Sequence, residues 1–239
     1  MWIVTREIMK TDFKPSNILF SLSLLVFIFV GIGIFSQLAG AADSQTRGDG
    51  QYHQAMGLGM AMPKFYENSV LYFYGNPNLE KPVSDHTPTD SLVFKRSEMG
   101  LEIAYAPPWF APAHLKMDYE LLFIRMLSIS HEFVEVMVNE FNGQTAYMDR
   151  TKNELRYWPE FLLTINSVEP LFSENNPVRV KPLSYAGLVS SPFSFLKPLR
   201  ISDQWMQVEL LDDNFKSHGK GWIKWREDGK LLISYSLLS

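Results

Sequence analysis

The 239-residue chain contains no cysteine. That absence excludes disulfide stapling, thiolate metal sites, a cysteine nucleophile and lipoprotein anchoring through an N-terminal cysteine. Stability must therefore come from packing. Histidine is nearly as scarce: His53, His86, His114, His131 and His218 fall singly, with no H-E-x-x-H or similar ligand pair. There is no G-x-S-x-G elbow, no P-loop and no dinucleotide fingerprint, since Gly57-Leu58-Gly59 lacks a preceding strand and a third glycine. Met56, Met60 and Met62 invite a thioether metal site, but with only His53 nearby no spacing closes one, and a flexible apolar linker fits better. A basic excess is missing too. The formal charge is −4, and removing Arg6, Lys10, Lys14, Glu7 and Asp12 with the first 41 residues makes it −5. Nucleic acid and anionic membrane surfaces select basic faces, so neither is an expected partner. No catalytic, cofactor-binding or metal-ligating residue is predicted.

The one long apolar run is at the N-terminus. Ile18 to Phe35 is uncharged, follows Arg6, Lys10 and Lys14, and precedes Ala39-Gly40-Ala41, a pattern a signal peptidase accepts before Ala42. Two fates fit it. Cleavage as a signal peptide is favoured by the helix-weakening Gly31 and Gly33; retention as a membrane anchor also fits, because eighteen residues is near the lower limit for a span. Under both, the protein is expected to be exported to the periplasm or cell envelope, with any membrane attachment through residues 18–35. Met9-Lys10-Thr11-Asp12-Phe13-Lys14 would be a more ordinary signal-peptide start than Met1.

Over the whole chain, 46% hydrophobic content is ample for burying cores and 20% charge argues against disorder. The most informative pattern is an internal repeat. Phe133-Val134-Glu135-Val136 aligns with Trp205-Met206-Gln207-Val208 at an offset of 72 residues. Tyr147-Met148-Asp149-Arg150 aligns with Trp222-Ile223-Lys224-Trp225, and Leu162-Leu163-Thr164 with Leu237-Leu238-Ser239, at an offset of 75. One loop insertion between two copies of a strand-loop-hairpin unit produces such a step.

Local signals agree with a β reading. Residues 42–63, rich in Gly, Gln, Asp and Met, read as a tether. Short β-prone runs follow at 69–74, 92–94, 101–105, 121–127 and 133–138, separated by turn clusters. Tyr147–Arg150 and Leu155–Trp158 are expected to form a hairpin around Thr151-Lys152-Asn153-Glu154. In the second copy, Trp222–Arg226 and Lys230–Tyr235 flank Glu227-Asp228-Gly229, and Asp-Gly is a strong tight-turn signal.

Asp203-Gln204-Trp205-Met206-Gln207-Val208, followed by Gly219-Lys220-Gly221-Trp222-Ile223, resembles the bacterial SH3-like domain, with its Asp-Trp-x-x-Val strand and its Gly-x-x-Gly-Trp-[Val or Ile] strand. This copy has the extra Gln204 and a tighter glycine spacing. The resemblance covers about residues 178–239; a divergent copy over about 99–165 has Phe133 and Tyr147 at the two tryptophan positions. It implies a five-to-seven-stranded partly open barrel that binds cell wall or protein and does no catalysis. The expected fold class is all-β, two tandem SH3-like small barrels after an N-terminal signal peptide or membrane anchor. The expected division is residues 1–41 as that segment, 42–68 as linker, 69–165 as the first unit with extra N-terminal strands, and 166–239 as the second, each with its own core.

The candidate binding residues are Trp222, Lys224, Arg226, Trp109 and Phe110. Trp205 is expected to fill the barrel core. Alternation along the strand places Ile223 and Trp225 on one face and Trp222, Lys224 and Arg226 on the other, so an inward Ile223 leaves Trp222 partly exposed beside two cations. Trp109 and Phe110, in the Pro107–Pro112 loop, form a recognition patch or cap a barrel end. Glu132, Glu135 and Glu140 read as a solvated acidic face, because 132 and 135 point to opposite sides of a strand. The expected partner is a cell-wall peptide or an envelope protein. The alternatives are a degenerate cell-wall hydrolase unit carrying an SH3-like targeting module, or a structural subunit of an envelope complex.

Overall fold

The computed structural model describes residues 56–98 and 100–237. The expected export segment at 18–35, its Ala39-Gly40-Ala41 site and most of the 42–68 linker lie outside the described residues. Among the described residues, no helix is long and apolar enough to cross a membrane. The fold is all-β, built from several antiparallel sheets, none of which closes into a barrel.

In chain order, the first half contributes β1 (Gly59–Pro63), β2 (Val70–Phe73), β3 (Asp90–Ser97), β4 (Gly100–Tyr105), β5 (His114–Lys116), β6 (Leu121–Ile129), β7 (Phe133–Asn139), β8 (Gln144–Asp149) and β9 (Asn153–Tyr157). A short helix α1 (Trp158–Leu162) follows, with Pro159 in its first turn, where no amide hydrogen is needed. The second half contributes β10 (Ser167–Pro170), β11 (Phe195–Ser202), β12 (Trp205–Leu211), β13 (Ser217–Lys224), β14 (Arg226–Glu227), β15 (Lys230–Leu231) and β16 (Ile233–Ser236).

Two sheets have the same strand plan. One runs β8-β7-β6-β1-β9, with β5 added to β6; the other runs β13-β12-β11-β10-β16. Their registers coincide at the offsets seen in the sequence. Phe133 pairs with Asp149 and Glu135 with Tyr147, as Trp205 pairs with Lys224 and Gln207 with Trp222. Even the irregularities repeat. The ladder is broken between Met126 and Ser128 and again between Pro198 and Arg200, and between Met137 and Asn139 and again between Glu209 and Leu211, each pair 72 residues apart. Such irregularities bend a strand locally and increase its twist.

The repeat departs from the sequence reading at its ends. β8 and β9 are not a hairpin. Asp149 Oδ1 accepts from the Thr151 amide at 2.8 Å and its hydroxyl at 2.7 Å, closing a 3₁₀ turn over Arg150–Lys152 that sends β9 across to β1. In the second copy the β14–β15 hairpin occupies that place, its turn formed by Asp228 and Gly229 at φ 49° and 72°, and β16 crosses to β10. Leu155 faces Ala61 and Tyr235 faces Val168, so the last strands correspond at an offset of 80, not 75. Leu162, aligned with Leu237 in the sequence, ends α1 instead.

β1 is also a correction. Residues 59–63, read as tether, form a strand hydrogen-bonded on both sides, to β6 and β9. Met60 and Ala61 have no exposure. The strands at 70–105 form a separate sheet, β2-β3-β4, inserted between β1 and β6 rather than preceding the unit.

Two cores result. One lies between β2-β3-β4 and the first large sheet: Leu71, Phe73, Leu92 and Phe94 meet Ile124, Met126, Val134, Val136 and Met148. The other is shared by both copies. Met60, Phe123 and the helix residues Trp158, Phe161 and Leu162 pack with Leu196, Met206, Val208, Ile223, Trp225 and Ile233. The buried Trp158 Nε1 donates to the Met56 carbonyl at 2.9 Å, so its polar edge is satisfied. The second copy's apolar face is thus covered largely by the first, against the expectation that each unit owns its core. β1 and β6 send side chains into both cores, which is why Leu121 to Ile124 is continuously apolar.

Candidate binding cleft beside Trp205

Strand alternation decides which aromatic of the second copy can meet solvent. Met206 and Val208 are fully buried in the shared core, so Trp205 and Gln207 point to the other face of β12. Trp205 is therefore not the core filler expected from sequence. It is partly exposed, and Trp225, with 1% exposure, fills the core instead, its Nε1 donating to the Asp203 carbonyl at 2.7 Å.

Beside Trp205 lies a cleft of about 100 Å³ between the 171–194 loop and the end of β13, lined by Asn175, Asn176, Arg179, Ser184 and Lys224 among others. Its walls are fixed by main-chain pairing. Arg179 and Trp222 exchange amide-to-carbonyl bonds of 2.8 and 2.7 Å. Asn176 is 7% exposed and clamps Lys224: its Nδ2 donates to the Lys224 carbonyl at 2.7 Å, and its Oδ1 accepts from the Lys224 amide at 3.1 Å. The Lys224 ammonium is paired with the Glu227 carboxylate and lies 5.9 Å from the centre of the Trp205 ring. The result is a preformed slot with one aromatic wall, a polar rim and a neutralised charge pair.

The sequence-predicted site residues do not converge there. Lys224 lines the cleft. Trp222 points away from the core as alternation requires, yet is only 6% exposed, because the loop pairs onto it through Arg179 and the Arg200 guanidinium lies 4.9 Å over its ring. That corrects the expected exposure. Arg226 lies outside the cleft, 5.0 Å over the Trp225 ring and 3.2 Å from the Asp203 carboxylate. Trp109 and Phe110 belong to the other half of the molecule. Their rings pack 5.3 and 5.6 Å from Phe73, and Asn139 Nδ2 donates to the Trp109 carbonyl at 2.7 Å, so the loop caps the first core. Sequence reasoning missed Trp205, Asn176 and Arg179 as cleft residues. The alternation of Met206 and Val208 was the signal for Trp205; the loop residues had none.

A second cleft, of about 330 Å³, opens where β5 and β16 meet, lined by His114, Lys116, Leu121, Tyr235 and neighbours. Its polar groups satisfy each other: His114 Nε2 and the Tyr235 hydroxyl are 2.8 Å apart. Burial, assisted by nearby Arg125, pushes the His114 pKa down, and burial pushes that of Tyr235 up. Both are held neutral. The Arg125–Glu140 ion pair stands close by; burial raises the Glu140 pKa against the opposing pull of Arg125. The other two residues of the predicted acidic face have separate partners, Glu132 just before β7 with His131 at 3.1 Å and Glu135 on β7 with the Ser128 hydroxyl at 2.7 Å. Among the described residues no group of three His, Cys, Asp or Glu side chains could hold a metal ion. No family model, curated protein or solved structure matches the chain.

Proposed function

We propose that this is a noncatalytic, exported binding or scaffolding protein of the bacterial cell envelope, built on two SH3-like modules. Its binding site is the cleft beside Trp205, which takes a cell-wall peptide or an envelope protein. Two features support the SH3-like reading: each copy is a five-strand path within the range that the sequence resemblance implies, and the two copies share register and bulges. Export rests on the apolar run at 18–35. The observation that carries the choice of site is the partly exposed Trp205 over a slot whose main chain is already hydrogen-bonded. A preorganised aromatic slot of this kind binds without first ordering its walls.

The test is capture of purified peptidoglycan and of envelope proteins by the full chain, by Trp205→Ala and by Arg226→Ala. Trp205→Ala should lose capture while still unfolding cooperatively within a few degrees of wild type, and Arg226→Ala should keep it. Equal capture by all three proteins would remove the cleft as the site.

A further inference from the structure

In the first copy, loop rings cover the position equivalent to Trp205. Tyr147 and Trp222 hold the same register position, and each is bridged in both directions by one loop residue, Tyr74 in the first copy and Arg179 in the second. Tyr74 and Arg179 are therefore equivalent, as are Phe133 and Trp205. In the first copy the Tyr74 ring stands edge-on to Phe133 at 5.4 Å and 77°, and the His86 ring does the same at 5.2 Å and 87°. The His86 ring is locked: its Nε2 accepts from the Asn78 amide at 2.9 Å, which leaves Nδ1 to donate to the Pro82 carbonyl at 2.9 Å. Phe133 has no exposure as a result. Among the described residues, no loop ring packs on Trp205 as Tyr74 and His86 pack on Phe133. Arg179 turns its guanidinium to the Ala186 carbonyl at 2.7 Å, and Ser184 lines the gap over Trp205.

We infer that the cleft receives a tyrosine side chain from an extended peptide segment of a partner, edge-on to Trp205 as Tyr74 is to Phe133. Edge-to-face packing is the preferred geometry for two such rings, and a tyrosine hydroxyl suits the rim of Asn175, Ser184 and Arg179. Lys224 is already matched by Glu227, so the site does not demand an acidic ligand. This inference rests on the cleft being the binding site and adds the chemistry of its anchor.

The experiment uses the full chain labelled with 5-fluorotryptophan, the Trp205 resonance being assigned with Trp205→Phe. The probes are N-acetyl-Phe-Tyr-Gly-amide, which copies residues 73–75, and the matched N-acetyl-Phe-Ala-Gly-amide. The tyrosyl peptide should shift the Trp205 resonance saturably, with an apparent affinity roughly tenfold above the alanyl control. Arg179→Tyr, which supplies the ring from within, should abolish the response. Ser184→Phe, at an exposed loop position, supplies a ring without touching the Arg179–Trp222 pairing and should do the same even if Arg179→Tyr fails to fold. No shift, or equal shifts with both peptides, would overturn the inference. Trp205-dependent capture of an envelope partner without a tyrosyl response would keep the cleft as the binding site and remove the tyrosine anchor. A tyrosyl response without such capture would keep the anchor and remove the envelope partner.

Discussion

The two copies share a strand register and differ in what their loops do with it. Phe133 opens β7 under Tyr74 and His86 and is fully buried, whereas the equivalent Trp205 opens β12 partly in solvent. One register step on, the order reverses: Tyr147 is half-buried, and the equivalent Trp222 is closed off beneath Arg200 and the 171–194 loop. A strand position fixes the direction a side chain points. Whether that direction leads to water is decided by a loop from elsewhere in the chain, which is how one β unit yields a sealed copy and an open one.

The largest effect expected from breaking this pairing is loss of the second copy itself. A chain of residues 166–239 alone would expose the faces of Leu196, Met206, Val208 and Ile223 that Met60, Phe123, Trp158 and Phe161 cover. It should melt without cooperativity and bind a hydrophobic dye; a sharp calorimetric transition would show that the second copy needs no shared core.

Next in size is the contrast between equivalent aromatics. Phe133→Ala should cost about 3 to 5 kcal/mol, because it removes a buried ring and leaves a cavity under Tyr74 and His86. Trp205→Ala should cost about 1 kcal/mol, since part of its surface is already in water. Urea titration of both variants measures the difference, and equal costs would break the sealed-versus-open distinction.

A smaller effect tests how closely the second loop lies on its sheet. Gly221 stands where the first copy has Ala146, and a Cβ there would come within 2.2 Å of Val178 Cγ1 and 3.2 Å of Val189 Cγ2. Gly221→Ala should therefore destabilise by about 1 to 3 kcal/mol through overpacking. Trimming the obstruction in the Gly221→Ala, Val178→Ala double variant should recover part of that cost relative to Val178→Ala. Purely additive costs would mean that the loop already yields.

How far this architecture is legible in sequence follows from where its information sits. The repeat can be read because it is written in strands: the 133–136 and 205–208 segments really do carry one register, and Asp228-Gly229 makes the turn its residues demand. β1 escapes notice because Gly-Met-Ala-Met-Pro contains no β-branched residue, and a strand buried on both faces shows no alternation. Thr151 to Glu154 look like a hairpin turn, yet Asp149 caps a 3₁₀ turn there and the next strand leaves for another partner. The exchange of roles between Trp205 and Trp222 depends on Arg179 and Arg200, and no pattern local to either tryptophan records them.

The smallest effect is a slope rather than a step, and it tests the seam between the copies. His114 on β5 bonds the Tyr235 hydroxyl of β16 and stacks edge-on against Phe123 and Tyr235; Arg125 and, through it, Glu140 also face this corner, and Lys116 lies on the same strand. Burial lowers the His114 pKa below its ordinary 6.5, so as pH falls through 6.5 the unfolded chain takes up a proton that the folded chain refuses. Stability contributed by the neutral ring is thus complete above that value and declines as pH drops toward the lowered one. Glu140 acts in the opposite sense, because burial raises its pKa and a proton gained on acidification relieves the folded state. Taking the difference between wild type and His114→Gln cancels Glu140 and the exposed histidines. Denaturation midpoints between about pH 5 and 7 should fall more steeply for wild type than for His114→Gln. Parallel pH profiles for the two proteins would mean that His114 titrates alike folded and unfolded, and that the seam between β5 and β16 is open to water.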